Sequence, residues 1–502
     1  MAKEATRLRL SLPPRGVRLL LAHPLLKDVE AKRQRHHDTY FDTPDLTLRK
    51  ARIDLHQDHC GKRWRQIITF DGPLARGLAR RRRCELSVEH GKIDFCAVDD
   101  DRVRKLLRGN QDRLAQTFAT LFARARWSVH FQTDVLVELT LDRGSIESRG
   151  RRLRFCEVEL KLKQGKPSDL YDLALLLQQT VPLHPSVANK VERGYALWLD
   201  ASPPPVTATV STLTADLSLR HAFRNLSLAC LVHLQGNEDA VSMAVNDIEH
   251  IHQMRVAIRR LRSLLKLYSS VLPPDFVERW RGPWRDLGLV LGQARNWDVM
   301  ATRMLPPLAA TFPAHGETKL LEGGSKRNCA ATRKAVRDII ASPAYARLLL
   351  EFASALFSLP VAVGKKSSHH GHGQTLRHFA AHRLALLTRH ATGLARQVED
   401  LDGAGRHRLR IAFKNLRYAL EFFTPLLSEK RLAPYSHEIA LLQDTLGELN
   451  DLAVQRALVS TLPGIKADGL VAGWLAARSD CLLRALPEAL DRFLTVRAPR
   501  VH

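Results

Sequence analysis

The sequence predicts an α+β protein in which an antiparallel β-domain precedes an all-helical domain. Before residue 200 apolar and polar residues mostly alternate, as in half-buried strands, and after residue 210 the apolar residues recur with the period of amphipathic helices. Between the two lies Ala201–Thr207 (ASPPPVT), whose three consecutive prolines are incompatible with a helix or a central strand. We therefore predict domains at residues 1–200 and 211–495, joined by a linker at 201–210.

Alternating segments in the first domain predict its strands. They lie at Arg7–Leu12, Arg52–Leu55, Arg65–Phe70, Leu136–Leu141 and Cys156–Lys163. Two segments, Asp101–Phe122 and Pro167–Gln178, predict helices. Many short alternating strands with few helices are typical of an antiparallel sheet closed into a barrel, so we predict an N-terminal antiparallel β-barrel.

Amphipathic segments in the second domain predict its helices, and glycine- and proline-marked turns such as Leu321–Ser325 (LEGGS) separate them. The helices are expected at Leu217–Gln235, Ile248–Ser269, Trp284–Met304, Ala344–Phe357, Thr375–Arg396, Arg406–Leu427, Ile439–Leu458 and Leu470–Leu486.

An internal repeat lies within this helical region. HQMRVAIRRLR, from His252, recurs as HRLRIAFKNLR, from His407, and LGQARNWDV, from Leu291, recurs as LGELNDLAV, from Leu446. Both pairs are separated by 155 residues. Two motif pairs with one offset indicate a duplication, so we predict two pseudo-symmetric helical bundles at about 211–345 and 370–495.

Each copy of the repeated helix carries four cationic or potentially cationic side chains at the spacing i, i+3, i+7 and i+10, which places them on one helix face. They are His252, Arg255, Arg259 and Arg262 in the first copy and His407, Arg410, Lys414 and Arg417 in the second. Like charges at this spacing repel each other, and no acid is interleaved between them. Arginine and lysine donate to phosphate oxygens, and a nearby phosphate helps histidine to keep its proton. The two stripes therefore predict binding of an anion with many equivalent oxygens.

A structural role for the stripes is the alternative. In that case acids elsewhere in the bundle would pair with the cations, and Asp298, Glu448 and Asp451 are the candidate partners. The net charge of +25 and the pI near 10.2 favour the anion, because they indicate a polyanionic partner such as polyphosphate, nucleic acid or an anionic membrane surface. Both halves of the chain carry this positive charge, with a net +12 in residues 1–200 and +13 in residues 201–502.

The seven cysteines are scattered and never form a CxxC pair, which favours reduced thiols in the cytoplasm over disulfides or a zinc site. No run of about 18 apolar residues occurs, so we expect no transmembrane insertion.

The repeated motifs resemble those of the CHAD family, which are α-helical domains with characteristic histidines. The likeness covers about residues 211–495, and HRLRIAFKNLRY is its most specific part. Asn296 and Met254 depart from the family, which commonly has Asp and Leu at these positions. The resemblance implies two pseudo-symmetric bundles with a basic surface that binds inorganic polyphosphate, often at intracellular granules. It implies no cofactor for that binding.

The N-terminal segments YFDTPDLTLRKARIDL, from Tyr40, and CEVELKLK, from Cys156, resemble the CYTH domain, which has the triphosphate tunnel metalloenzyme fold. The likeness covers about residues 5–200. It implies an eight-stranded barrel whose inward bases hold triphosphate and whose inward carboxylates hold Mg²⁺ or Mn²⁺. Carried over to this chain, the phosphate-binding residues would be Arg9, Lys161, Lys163, Lys190 and Arg193, and the metal ligands Glu157 and Glu159.

Two departures argue against catalysis in this domain. Where the family begins with ExExK, this chain has Ala5, Arg7 and Arg9, and where the family has LRVR it has LHQD, Leu55–Asp58. A hard dication needs several oxygen ligands, and Arg7 would repel it. We therefore expect a degenerate domain, and the sequence assigns no catalytic residue.

These patterns favour a cytoplasmic polyphosphate-binding protein, targeted to polyphosphate granules, in which the CHAD domain is the main binding module. The alternative is an inorganic triphosphatase that depends on Mg²⁺ or Mn²⁺ and uses the CHAD domain as a substrate anchor. Binding of nucleic acid is a third hypothesis. Net charge alone favours it, since the sequence shows no aromatic stacking platform.

Overall fold

The computed structural model describes residues 6–61, 63–71, 81–89, 92–187, 189–210, 212–244, 248–359, 375–397 and 402–501. The chain divides into two compact units. The first comprises Met1–Pro204 and Ser342–Ser358, and the second comprises Pro205–Ala341 and Leu359–His502. An antiparallel sheet followed by a helical domain confirms the predicted α+β order.

A nine-stranded antiparallel sheet forms the first unit. The strands are β1 (Arg7–Ser11), β2 (Lys32–Asp42), β3 (Ile53–Cys60), β4 (Arg63–Asp71), β5 (Arg81–Ser87), β6 (Ala115–His130), β7 (Leu136–Ser148), β8 (Arg151–Gln164) and β9 (His184–Pro185). Their order in space is β5-β4-β3-β2-β6-β7-β8-β1-β9. Among the described residues β5 and β9 are the two edges and do not pair, so the predicted closure into a barrel is not confirmed. β9 has two residues, one of them a proline without an N–H to extend the ladder.

Both units contain helices. They are α1 (Gly16–Leu21), α2 (Pro24–Lys27), α3 (Thr47–Lys50), α4 (Asp101–Gly109), α5 (Pro167–Gln178), α6 (Lys190–Leu199), α7 (Leu219–Gln235), α8 (Glu238–Ser242), α9 (Ile248–Leu267), α10 (Pro274–Val299), α11 (Leu305–Thr311), α12 (Gly316–Ile340), α13 (Pro343–Ser358), α14 (Leu376–Ala395), α15 (Gly403–Phe423), α16 (Glu429–Val459) and α17 (Leu470–Thr495). A π-helical turn, Met300–Met304, joins α10 to α11.

The helix predicted at Asp101–Phe122 is wrong over its second half. α4 ends at Gly109, and β6 begins at Ala115. β6 pairs with β2 on one side and β7 on the other, and its Phe118 and Phe122 point to the same face of the sheet. Pairing on both sides and burial of these rings outweigh the local helical pattern.

The two faces of the sheet differ in chemistry. One face is apolar: Leu139, Val158 and Leu160 are fully buried and belong to a core that includes residues of α5. The other face carries the alternating charges that the sequence predicted along β8. This polar face holds the candidate site of the first unit.

α13 belongs to the first unit, although the predicted helical domain, 211–495, contains it. Its Leu350 is fully buried in the core under the sheet. Phe357 stacks on Tyr171 of α5 at 5.5 Å between ring centroids, and Ser354 Oγ donates to Asp172 Oδ1 at 2.7 Å. The apolar pattern predicted this helix correctly but carried no information about which element it packs against.

The helices of the second unit follow the predicted repeat. Moved by 155 residues, the first residues of α7, α9, α10 and α12 fall at 374, 403, 429 and 471, and α14, α15, α16 and α17 begin at 376, 403, 429 and 470. Contacts also recur: α7 packs on α9, α9 on α10 and α10 on α12, as α14 packs on α15, α15 on α16 and α16 on α17.

The turn predicted at Leu321–Ser325 is wrong, because these residues lie inside α12. Gly324 permits a close approach: a Cβ there would lie 2.8 Å from Leu462 Cδ2. Here glycine serves helix packing and not chain reversal.

Among the described residues, no single helix has both the length and the hydropathy needed to cross a membrane. The successive helices α12 and α13 meet that criterion only when they are taken together as a bent pair.

Candidate functional site

The polar face of the sheet brings together all the residues that the CYTH resemblance implied. Arg9 lies opposite Glu159, and Glu159 lies opposite Thr140 on β7, so β1, β7 and β8 contribute to one surface. α6 adds Lys190 and Arg193.

Each predicted phosphate-binding base on this face already contacts a carboxylate. The contacts are Arg9 Nε–Glu159 Oε2 at 3.4 Å, Lys161 Nζ–Glu138 Oε1 at 4.0 Å, Lys163 Nζ–Glu138 Oε2 at 3.3 Å, Arg193 Nη1–Glu157 Oε1 at 2.9 Å and an ion pair of Lys190 with Asp142. The sequence missed Asp142, which also accepts two hydrogen bonds from Arg124 at 2.7 Å. Each predicted phosphate-binding base therefore has a carboxylate partner within the protein, although Lys161 and Lys163 share Glu138.

Electrostatics on this face depend on burial and on these pairs. Burial opposes ionisation of Asp142, but Arg124 and Lys190 outweigh it and lower the pKa of this carboxyl. For Glu157 burial prevails over Lys190 and Arg193, and its pKa is raised. Each of these bases thus has a carboxylate partner, although Glu138, Asp142 and Glu159 each serve two bases.

Glu157 and Glu159 do not fit a hard divalent cation. Arg193 binds Glu157, while Arg7 and Arg9 both approach Glu159 at 3.4 Å. Guanidinium groups contact both oxygens of Glu159 and one oxygen of Glu157, and Mg²⁺ or Mn²⁺ would need these oxygens as ligands. Ala5, the first position of the altered ExExK motif, lies outside the described residues.

A second cluster on the polar face was not predicted. His36 and Asp38 on β2 lie beside Asp58 on β3, and one donor atom from each lies within 4.8 Å of the others. Burial and the nearby charge of Asp58 raise the pKa of Asp38. The pKa of Asp58 is lowered, because His36 and Arg65 outweigh its burial. The sequence could not reveal the cluster, since only strand pairing brings Asp58 to β2.

In the second unit, α9 packs against both α10 and α15, and the two predicted stripes form one basic cluster. Arg259 is central to it, because its charge lowers the pKa values of His252 and Arg255 on its own helix and of Arg410 and Lys414 on α15. The duplication therefore yields one continuous cationic surface.

α10 contributes a third stripe that the sequence analysis missed. Arg281, Arg285, Gly288, Gly292 and Arg295 recur at alternating spacings of four and three residues, which places them on one helix face. A Cβ at Gly288 would lie 3.5 Å from Arg262 Nη1, and one at Gly292 would lie 3.6 Å from Arg255 Nη1. The glycines leave room for arginines of α9, and the same helical period could have revealed this face.

The candidate acids for a structural role are mostly engaged elsewhere. Asp298 is fully buried and accepts from Arg333 Nε of α12 at 2.9 Å, and Glu448 accepts from Arg478 of α17 at 2.6 Å. Asp451 acts electrostatically on Arg255 and Arg410, but in the described part of the chain it forms no ion pair.

Within the described ranges, Arg255, Arg259, Arg262, Arg410 and Lys414 likewise form no ion pair with an acid. Arg255 Nη1 donates to the carbonyl oxygen of Gly292 and to Asn296 Oδ1, both at 3.4 Å. Since the resemblance expects an aspartate where this chain has Asn296, the departure leaves Arg255 without a carboxylate. The guanidinium of Arg259 lies 5.8 Å from the Tyr418 ring centroid. The cluster thus keeps an uncompensated positive charge.

Burial and like charges lower the pKa values of several groups in the cluster. Burial, then Arg259, lowers the pKa of Arg255 to about 10 and that of Lys414 to about 8. Burial, then Arg295, lowers the pKa of His252 to about 4, so this histidine is neutral at pH 7 and contributes no charge there.

The ends of the two stripes differ from the centre. Arg417 donates to Glu421 Oε1 at 2.9 Å and to Gln443 Oε1 at 3.1 Å, so its charge is partly satisfied. His407 and Arg262 are exposed. The strongest unpaired positive charge therefore lies where the two copies meet.

Comparison with known proteins agrees with both resemblances. The CYTH domain model matches residues 7–195, and the CHAD domain model matches residues 226–460. The crystal structure of the CHAD domain from the plant Ricinus communis is similar at 32% sequence identity with a TM-score of 0.51, and the match covers 60% of this chain and 100% of that chain.

The chain belongs to the CYTH–CHAD two-domain proteins. Over 163 residues it is 28% identical to an inorganic triphosphatase of Haemophilus influenzae, a match that covers 32% of this chain and 45% of that protein. The match thus spans less than half the length of this curated relative.

Stability measurements can separate cluster cations from structural ones in the CHAD domain. We expect Arg259→Gln and Lys414→Gln to leave the melting temperature unchanged or to raise it, because each removes like-charge repulsion worth a few tenths of a kcal/mol, roughly 0.2–0.5 per pair. Arg333→Gln should instead destabilise by about 3–5 kcal/mol, since it leaves Asp298 buried and unpaired. Thermal and urea unfolding of the three variants check this. If Arg259→Gln lowered the stability to unfolding as much as Arg333→Gln, the cluster would have a structural role instead.

Proposed function

We propose that this protein binds inorganic polyphosphate, with the CHAD domain as the main binding module. The observation that carries the proposal is a contrast between two basic regions. On the CYTH sheet every implied phosphate-binding base contacts a carboxylate, whereas the central cations of the CHAD cluster form no ion pair among the described residues. A polyanion gains most from charges that the protein has not already neutralised.

The cluster suits a flexible chain of phosphates. Its cations come from α9, α10 and α15, so a linear anion can contact several in succession. Arginine and lysine both donate hydrogen bonds to phosphate oxygens, and these contacts do not require a nucleobase in the ligand. The aromatic ring beside Arg259, Tyr418, is buried and offers no stacking surface for nucleobases. We therefore favour polyphosphate over nucleic acid, in the cytoplasm and at polyphosphate granules.

The CYTH domain supports a different candidate, an inorganic triphosphatase that depends on Mg²⁺ or Mn²⁺ and is anchored to substrate by the CHAD domain. The relative from Haemophilus influenzae favours it. The arginines on Glu157 and Glu159 disfavour it, because phosphoryl transfer relies on metal ions to neutralise developing charge. We propose that the domain, in the tunnel-type barrel that the family implies, serves as a scaffold without efficient catalysis.

Polyphosphate titration of full-length variants tests the main proposal. We expect Arg259→Gln and Lys414→Gln each to weaken binding by about 1.5–3 kcal/mol, roughly tenfold or more, because each removes a charge-assisted contact. The slope of log affinity against log salt should also decrease, since fewer counterions are released. The full chain is the right sample, because α13 lies in the CHAD sequence but packs in the first unit.

The matched control is Lys334→Gln, which makes the same change of charge on α12, where Lys334 pairs with Asp338. Its affinity and salt slope should equal those of the wild type. Equal losses in control and cluster variants would mean that net charge alone governs binding, and the proposed site would be wrong.

Affinity for polyphosphate should also depend on pH through Lys414. Its pKa of about 8 in the free protein means that it is charged below pH 8 and loses its proton above. A bound polyanion favours the charged form, so above pH 8 binding must take up a proton and affinity should fall by up to about tenfold per pH unit. Lys414→Arg should flatten this decline, because arginine stays charged. Titrations at several pH values between about 7 and 10 check this. If affinity fell with pH as steeply in Lys414→Arg as in the wild type, Lys414 would be excluded as the source of the pH dependence.

Triphosphate hydrolysis separates the two candidate functions. With Mg²⁺ or Mn²⁺, we expect phosphate release near background, because the implied metal-binding carboxylates are occupied by arginines. Robust turnover that Glu159→Gln abolishes would establish the triphosphatase instead. The Glu159→Gln variant also serves as the specificity control for that assay.

A further inference from the structure

A buried histidine and two buried aspartates lie close together on the polar face of the CYTH sheet. This group does not include Glu157 or Glu159. Asp38 on β2 lies directly opposite Asp58 on β3, and His36 is two residues before Asp38, so all three side chains point to the same face. His36 is 8% exposed, Asp38 9% and Asp58 4%. One donor atom from each lies within 4.8 Å of the others.

The two carboxylates differ in their partners, since both oxygens of Asp58 have one whereas the carboxylate of Asp38 accepts a single hydrogen bond among the described residues. Asp58 Oδ1 lies 2.9 Å from His36 Nδ1, and Asp58 also pairs with Arg65. Asp38 accepts a hydrogen bond from Thr120 Oγ1 at 3.2 Å, and it forms no ion pair in the described part of the domain. Two buried carboxylates at this distance repel each other unless a cation or a proton lies between them.

A second observation points to a ligand. The Nε2 atom of His36 is buried and has no hydrogen-bond partner among the described residues. The ring is fixed by stacking on Phe122, with 5.0 Å between ring centroids. A buried ring nitrogen without a partner is unfavourable in a folded protein unless it binds something.

Arg65 contacts Asp58 but has a second acidic partner. Besides Asp58 it binds Glu85, with 2.8 Å between Nη1 and Oε1, and its side chain is 39% exposed. It can therefore keep an acidic partner at the surface while Asp58 turns to another cation.

We propose that His36, Asp38 and Asp58 form a binding site for one divalent transition-metal ion, and that Zn²⁺ fits it best. An imidazole nitrogen favours Zn²⁺ over Mg²⁺, and carboxylate oxygens are regular zinc ligands. Three protein ligands leave one tetrahedral position open. Asp58 lies in LHQD, where the resemblance expects the basic LRVR, so the departure that removes a phosphate-binding base supplies this ligand. The site is independent of the polyphosphate proposal, and either can fail alone.

Metal titration of the purified full-length protein tests the site. The protein is first freed of metal with a chelator and then titrated with Zn²⁺. We expect elemental analysis to find one bound Zn²⁺ per chain, and excess Mg²⁺ should not displace it. Co²⁺ should give the visible absorption of a tetrahedral site without a thiolate charge-transfer band. Asp38→Asn and Asp58→Asn should each raise the Zn²⁺ dissociation constant by more than about 100-fold, the upper range for loss of an outer-shell partner.

Two variants keep the test decisive. Asp58→Asn removes the partner of Arg65 and could fail to fold, but Asp38→Asn removes only a carboxylate that is repelled by its neighbour, so it should fold at least as well as the wild type. Glu159→Gln should keep the full stoichiometry. No bound Zn²⁺ in the wild type, unchanged affinity in Asp38→Asn, loss of the ion in Glu159→Gln or a thiolate band would each overturn the inference.

Discussion

The CHAD domain depends on apolar helix packing that is strong enough to hold mutually repelling cations together. α9 and α15 each bury an apolar stripe, with Ile258 and Leu261 on one helix and Phe413 and Leu416 on the other. Apolar burial of this kind contributes about 1.5–3 kcal/mol per side chain, which exceeds the few tenths that each like-charge pair costs. The packing therefore keeps Arg255, Arg259 and Lys414 close although they repel one another. Burial and, after it, the charge of Arg259 lower the pKa values of Arg255 and Lys414, and a bound anion would offset both effects.

Net charge does not distinguish the two domains, whereas the placement of acids does. Residues 1–200 and 201–502 have nearly the same excess of bases. On the sheet, strand pairing sets Asp142 opposite Arg124 and Glu159 opposite Arg9, because partners in antiparallel register share a face. Beside the helical cluster, Asp298 turns to Arg333 and Glu448 turns to Arg478. A nearly equal excess of bases is thus placed beside carboxylates in one domain, whereas in the other the central cations form no ion pair among the described residues.

The sequence predicted features that depend on local periodicity and missed those that depend on distant pairing. The spacing of His252 to Arg262 and its recurrence at His407 located α9, α15 and their common offset. Periodicity failed at β6, where pairing with two strands decided the structure, and at Gly324, where glycine serves packing inside α12. The contribution of α10 obeys the same helical period as the two stripes, so the sequence contained it. By contrast, the contact of Asp58 with His36 crosses two strands, and no spacing in the sequence encodes it.

The duplication of the helical unit has not produced two equivalent binding stripes. His252 is partly buried and neutral at pH 7, whereas its counterpart His407 is exposed. At the other end, Arg417 is bound by Glu421, which also pairs with Arg260 of the first copy. What the two copies build jointly is the centre, where Arg259 of one faces Arg410 and Lys414 of the other. The proposed phosphate chain would therefore gain most at the junction of the repeats, because burial and proximity combine there with cations that form no ion pair in the described part of the chain.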